Sequence, residues 1–305
     1  MQRRYWPALL LVALLVSAFA AFACDDDDED DGEPTATTAA RETPEGTAAD
    51  GEIDISGIPE LEDGVLGIGS DIAYAPIEFL DEATNEPVGL DIDLANALAE
   101  VLGVEAQFTN GVFDGLLPAL DAERHDVIMS AMTASDERKQ QVDFVEYFNA
   151  GSGIIVPAGN PQGIQSADDL CGKRVAVQEG TVQVDFLEGT TEDPGGKSQE
   201  CVDAGDDAIT VLKFGTDPEA VLALRSGQAD AEMADFPVAA YSAQQSEGAL
   251  EIIPNQIDPA PYGIAVRKTS TELRDALQAA LDQLIDSGDY AAILEEWNLA
   301  DGAID

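Results

Sequence analysis

The stretch DVIMSAMTASDER, Asp126 to Arg138, decides how this chain is read. Val127 to Met129 is apolar without a break, as in a strand buried on both faces of a parallel sheet, and it ends at Ser130. Beyond it, Thr133 and Ser135 can each cap a helix whose first turn holds Asp136, Glu137 and Arg138. Backbone N–H groups, a hydroxyl and a guanidinium would then gather just past the carboxyl end of a strand, where open α/β sheets bind ligands. The arrangement reads as a clamp for a carboxylate; the plainer alternative is a capped surface helix with a solvated arginine.

The layout of this stretch recurs. LDAERHDVIMSA (Leu120 to Ala131) and LRSGQADAEMAD (Leu224 to Asp235) share a helix end, a turn, an Asp and a strand with Met at its third place, so Asp126 meets Asp230 and Met129 meets Met233. VLGIGSD, ending at Asp71, likewise parallels RVAVQEGT, ending at Thr181. Around these matches, short apolar strands alternate with amphipathic helices from Gly64 onward, which argues for parallel α/β layers. Asp91 to Leu102, for example, carries Leu94, Leu98, Val101 and Leu102 on one face and stops at Gly103. Internal similarity of this kind predicts two related, Rossmann-like α/β lobes. Lobe 1 is expected over 64–156 with 262–305 and lobe 2 over 157–261, with crossings near Val156 to Gly159 and near Pro259 to Tyr262.

Composition narrows the partners. With 14 basic against 61 acidic residues and a formal charge of −47, the chain is unsuited to nucleic acid and to adsorption on anionic lipid. Arg3 and Arg4, an apolar run from Trp6 to Ala23 and small residues before Cys24 predict an export signal over 1–23, an uncleaved anchor being the alternative. Cys24 directly after Ala21-Phe22-Ala23 resembles a bacterial lipoprotein processing site, although Ala21 stands where Leu is usual. Residues 24–63 are acidic and nearly free of large apolar side chains until Ile53, so a lipidated cysteine with a disordered tether is expected. Asp27, Glu29, Asp31 and Gly32 begin a calcium-loop pattern, but its twelfth position is Thr38 rather than Glu. In an exported chain the remaining Cys171 and Cys201 most simply form a disulfide. A Cys-based metal site would need more ligands, and His125 is the only histidine, so neither metal nor cofactor is expected.

If the two lobes face each other, Asp71, the turn from Ser130 to Arg138, Thr181 and Asp235 converge on the cleft between them. Arg138 suits a carboxylate and Asp235 an ammonium, which together fit a zwitterionic α-amino acid. Burying both ligand charges costs several kcal/mol each unless each meets an opposite partner. Thr133 and Thr181 would add hydroxyl and N–H contacts, while Tyr74 and Phe113 could wall the side chain.

GSDIAYAPIEF (Gly69 to Phe79), VGLDIDLANALAEVLG (Val88 to Gly103), FDGLLPAL (Phe113 to Leu120), DVIMSAMTASDERKQQVDF (Asp126 to Phe144), LCGKRVAVQEGT (Leu170 to Thr181) and ADF (Ala234 to Phe236) occur in this order. Together they resemble the family 3 extracellular solute-binding proteins, amino-acid receptors of ABC importers, over about Gly64 to Trp297. The resemblance implies a periplasmic-binding-protein type II-like fold that closes by hinge motion and meets a membrane permease as a lipid-anchored monomer on the outer face or in the periplasm. It also implies a ligand carboxylate on Arg138, Thr133 and Thr181, an α-ammonium on Asp235, and Asp71 at the side-chain end beside Tyr74 and Phe113. Ser130 and Ala131 belong to the same site, Ala131 standing where Ser or Gly is common and Val182 where a second Thr is common. Asp71, with Glu179, leans the preference toward polar or basic amino acids. Two rivals share the fold: a compatible-solute receptor of the ectoine type, and an enzyme such as a cyclohexadienyl dehydratase. The enzyme would need Glu179 or Glu78 as a general acid or base, since His125, read as a surface residue in a polar turn, pairs with no nucleophile.

Overall fold

The computed structural model describes residues 51, 53–191 and 194–304. The expected signal segment, Cys24 and most of the acidic tether lie outside these residues. The end of the tether nevertheless belongs to the fold: Ile58 and Leu61 are buried in the first core around the short turn Pro59–Leu61. Those apolar side chains are what the acidic segment before them lacks.

The first half runs β1 (Val65–Ser70), a hairpin β2 (Phe79–Leu80) and β3 (Pro87–Val88), α1 (Leu90–Leu102), β4 (Glu105–Asn110), α2 (Leu116–Asp121), β5 (Val127–Ile128) and α3 (Asp136–Gln141). A long strand β6 (Val142–Pro157) leads on to β7 (Arg174–Gln178), α4 (Val182–Glu188), α5 (Gly196–Ala204), β8 (Thr210–Phe214), α6 (Asp217–Arg225), β9 (Ala231–Asp235), α7 (Phe236–Gln245) and β10 (Leu250–Ile252). A second long strand β11 (Ile257–Arg267) then returns to α8 (Thr271–Ser287) and α9 (Asp289–Glu296).

Among the described residues these strands form a nine-stranded sheet in the order β4-β1-β5-β11-β6-β9-β7-β8, with β10 on β6, and the separate β2-β3 hairpin. The order is symmetric about its middle. Parallel β4-β1-β5 faces parallel β8-β7-β9, and antiparallel β11 and β6 lie between them. This is the pair of α/β lobes expected from the internal repeat.

Each half has its own apolar core. The first is built on Leu94, Leu98 and Leu102 of α1, on Tyr147 of β6 and on Leu277 and Leu281 of α8, all buried. Each such aliphatic side chain stabilises the fold by roughly 1.5–3 kcal/mol. Gly103, in the left-handed region at φ 71°, ends α1 as the sequence predicts. The second core gathers Ile154 and Val156 of β6, Val175 and Val177 of β7, Leu187 and Cys201. Strand β6 therefore starts in one core and ends in the other.

Three elements differ from their sequence expectation, each for a physical reason. The sequence pattern offers a strand over Gly153 to Val156, followed by the turn-rich GNPQGIQSADDL from Gly159. In the fold β6 starts earlier, at Val142, and its glycines answer close approaches. A Cβ on Gly151 would lie 2.7 Å from the Ile257 carbonyl, and one on Gly153 would lie 3.0 Å from Ala239. Helix α5 escapes the periodicity because Cys201 is its one buried residue. His125, expected at the surface, is buried at 7 % exposure, and burial lowers its pKa.

Cys171 and Cys201 are bonded, closing a loop of 30 residues and fastening α5 where packing alone is thin. In the chain-entropy model such a bridge is worth roughly 3–4 kcal/mol. Urea unfolding with and without reductant is expected to differ by about that amount; coincident curves would show that α5 holds without its bridge.

Candidate functional site

The repeat carries its chemistry into the backbone. Asp126 accepts the N–H of Gly67 at 2.8 Å, and Asp230 accepts the N–H of Arg174 at 3.0 Å. Ile68 is paired with Val127 and Val175 with Ala231, so the two aspartates make the same bond at the same register in both lobes. Counting forward from that register, Asp71 at the end of β1 corresponds to Gln178 at the end of β7, and Ala131 corresponds to Asp235. The counterpart of Asp71 is thus Gln178, not the Thr181 suggested by aligning the strands by eye.

These strand ends meet at a cavity of about 10 Å³ between the lobes. Of the residues singled out from sequence, Asp71, Tyr74, Phe113, Ala131, Thr133, Arg138, Thr181 and Asp235 line it, together with Glu78, Gln178, Val182 and Gln183. Ser130 does not. It is buried one layer behind, where its Oγ accepts from the Asp71 N–H at 2.9 Å and donates to Glu78 Oε1 at 2.8 Å.

Arg138 is 7 % exposed and firmly oriented. Its Nη1 donates to the Thr133 carbonyl at 2.9 Å, its Nη2 donates across the cleft to the Gly180 carbonyl at 3.0 Å, and the guanidinium lies 5.3 Å from the centre of the Phe113 ring. Gly180 can present that carbonyl because it sits at φ 78°, where a Cβ would come within 2.7 Å of Asp114 Oδ1. The cap of α3 is Ser135, whose Oγ accepts from the Arg138 N–H at 3.3 Å; Thr133 is not a cap. Burial lowers the guanidinium pKa, while the nearby charges of Asp185 and Asp235 favour the cation.

Two further bonds join the lobes. Gln178 Nε2 donates to Asp71 Oδ2 at 2.5 Å, and the Asp235 N–H donates to the Tyr74 hydroxyl at 2.9 Å. Within lobe 2, Gln183 Nε2 donates to Asp235 Oδ1 at 2.8 Å and to Ser152 Oγ at 2.9 Å. Thr181 turns its hydroxyl inward to the Gln178 carbonyl at 2.8 Å, so what remains at the start of α4 is backbone N–H, uncapped by any side chain. Burial raises the carboxyl pKa of both Asp71 and Asp235; the Gln178 bond opposes this for Asp71, and Gln183 and the Arg138 charge oppose it for Asp235.

Glu78 behaves differently from those two. Burial first, then the charge of Asp91, pushes its pKa well above the usual carboxylate range. Asp91, pushed up to about 7 by burial, accepts from the Ala131 N–H at 2.9 Å and from the Tyr147 hydroxyl. Glu78 Oε2 meets no donor among the described residues, so burial and the charge of Asp91 favour the protonated form of Glu78. Glu179 is exposed and does not line the cavity.

The sequence reading singled out neither Gln178 nor Gln183. Their signal lies in the sheet register rather than in composition, since each is one polar residue at the end or start of an otherwise ordinary element. Among the described residues no helix is long and apolar enough to cross a membrane, and no group of three or more His, Cys, Asp or Glu side chains could hold a metal.

The family model for bacterial extracellular solute-binding proteins, family 3, matches residues 66–300. An arginine-binding protein, ArgT, of Corynebacterium glutamicum is 34% identical over 250 residues, 81% of this chain and 79% of the relative. An L-cystine-binding protein, TcyJ, of Escherichia coli K12 is 30% identical over 241 residues, 79% and 85% of the two chains. Among solved structures, an ancestral arginine-binding protein bound to arginine superposes with a TM-score of 0.69 at 38% identity, covering 77% of this chain and 98% of the other.

Proposed function

The chain belongs to the bacterial extracellular solute-binding proteins of family 3, and on that footing we propose that it captures a basic amino acid, arginine foremost, and hands it to the permease of an ABC importer. The observation that carries this reading is the charge pattern of the cavity. The wall offers one guanidinium, Arg138, and the carboxyl groups of Asp71 and Asp235, beside Glu78, whose protonated form burial and the Asp91 charge favour most strongly. A ligand with one carboxylate and two cationic groups leaves no buried charge unpaired. Arg138 and the N–H groups at the start of α4 would take the α-carboxylate, Asp235 the α-ammonium and Asp71 the side-chain cation. Two relatives named for arginine binding support the assignment.

The rivals fit this pattern less well. Ectoine brings no second cation for Asp71. Prephenate, a dianion, would set two carboxylates against one arginine and two acids; of the two glutamates a dehydration could use, Glu179 is exposed and Glu78 lines the cavity, so it is the charge pattern that weighs against this rival. We therefore take the protein as a binder and not as a catalyst.

A cavity of about 10 Å³ has room for a single water molecule, so an amino acid reaches it only when the three inter-lobe hydrogen bonds part. We assign the hinge to Ala150 and Gly151 of β6 and to Asp258 through Tyr262 of β11. There the β6–β11 ladder shifts register between Ile257 and Ala260 and again between Tyr262 and Gly263. Interrupted pairing allows rotation at little expense in hydrogen bonds. Closure then draws on contacts from both lobes, which the open form lacks. The export and lipidation reading of 1–24 would hold the protein by Cys24 at the outer face of the membrane, within reach of the permease.

Thermal shift of the protein with the twenty amino acids, ectoine and prephenate tests the reading. Arginine at a hundred times its Kd is expected to add about 2.7 kcal/mol of stability, and ectoine and prephenate none. Asp71→Asn is expected to weaken arginine binding by about tenfold or more while sparing a neutral amino acid. Stabilisation by neutral amino acids alone would remove the basic side chain from the proposal.

A further inference from the structure

We propose, building on the reading above, that Gln178 is the second half of the side-chain subsite and sets its preference for a guanidinium over an ammonium. The strand register makes Gln178 the counterpart of Asp71 in the opposite lobe, and both side chains end strands that point into the cleft. They face each other at 2.5 Å, with Gln178 Nε2 donating to Asp71 Oδ2, and Gln178 is only 4 % exposed. The second N–H of the same amide reaches the Gly215 carbonyl at 3.3 Å. The Gln178 amide thus stands at the carboxylate face that a ligand's cation would occupy.

A cation arriving at Asp71 displaces that amide, and an amide is suited to being displaced. Turned about its last bond it offers a carbonyl acceptor instead of an NH₂ donor, which a Leu, Lys or Arg at this position could not do. Asp71 accepts two parallel N–H bonds from one edge of a guanidinium fork. The planar guanidinium has further N–H donors on its other edge, in the same plane, and these meet the Gln178 carbonyl from the opposite lobe. A compact ammonium held by Asp71 brings rotatable donors from a single point and no rigid planar fork, so it gains less from Gln178 than a guanidinium does. The contact also exists only when the lobes are closed, so it rewards closure around one side chain more than the other.

Isothermal titration of the full chain and of Gln178→Leu and Gln178→Met with arginine and with lysine tests this. Methionine keeps the length of the side chain and both variants stay near its volume, so that if one folds poorly the other still reports. Arginine affinity is expected to fall about ten- to a hundredfold in each, and lysine affinity to change by less than about threefold. If the unaltered protein binds arginine and the variants bind it equally well, or lose arginine and lysine alike, the role given to Gln178 is wrong and the proposed function stands. If the unaltered protein binds neither amino acid, both inferences fall together.

Discussion

Arg138→Ala is expected to weaken arginine binding about a thousandfold, measured by titration calorimetry, while the far-UV spectrum of the free protein is retained. The size follows from burial. Among the described residues Arg138 is the one cation lining the cavity, and a ligand carboxylate placed there without it is a buried charge facing Asp71 and Asp235. Breaking a buried ion pair by removing one partner costs about 3–5 kcal/mol, which is two to four orders of magnitude in affinity. Arg138→Lys separates charge from geometry. It keeps a cation but loses the fork that now spans the Thr133 and Gly180 carbonyls, so affinity should fall between those of the unaltered protein and the alanine variant. An alanine variant that still binds within about threefold of the unaltered protein would move the carboxylate to another part of the cleft.

How legible this was from sequence depends on what kind of order each feature has. The lobes were legible because alternation and repetition are properties of the chain itself: LDAERHDVIMSA and LRSGQADAEMAD look alike because Asp126 and Asp230 make the same backbone bond. Most of the cavity wall was legible for the same reason, since strand ends are where an α/β sheet exposes polar groups. Gln178 was not, because its pairing with Asp71 depends on strand register and on two lobes facing each other. Ser130 was read into the wall, whereas Glu78 and the Asp71 N–H claim its hydroxyl. The raised pKa of Glu78 could not be read either, as Glu78 and Asp91 are thirteen positions apart in a chain full of acids and only burial sets them against each other. The length of β6 was hidden by glycines that the fold needs for close approach and that a linear reading takes as turns.

The buried carboxyl pairs lead to an expected result that runs against ordinary acid denaturation: the melting temperature should fall as pH rises from about 4 to 8. There are two such pairs. Glu78–Asp91 lies behind the lobe 1 wall, and Asp217–Glu232 lies in lobe 2, where both Glu232 oxygens and Asp217 Oδ1 lack any other donor among the described residues. Burial pushes Asp91 and Asp217 up to about 7 from 3.8, and pushes their partners Glu78 and Glu232 well above the usual Glu value. Asp71 and Asp235 face both pairs or one of them and add like charge, while Tyr147 donates to Asp91. Each group binds its proton more tightly folded than unfolded. Its contribution is therefore complete below about pH 4 and is lost as pH climbs through the folded value near 7. At 1.36 kcal/mol per unit, the sum over this window is on the order of a few kcal/mol. His125 works in the other direction, since burial lowers its pKa and stability is gained until about pH 6.5, but it is a single group against two buried pairs. Asp230, held ionised by Arg174, also favours higher pH, yet its effect is complete just above the ordinary Asp value of 3.8. Self-repulsion from the formal charge of −47 would give a slope of the same sign, so the variant that separates the two causes is Asp91→Asn with Asp217→Asn. It changes net charge by little but removes one titrating member of each pair, and the melting temperature should then vary far less between pH 5 and pH 8. A slope left intact in that double variant would assign it to net charge, and a melting temperature that rises with pH in the unaltered protein would mean that the buried pairs are ionised in the fold.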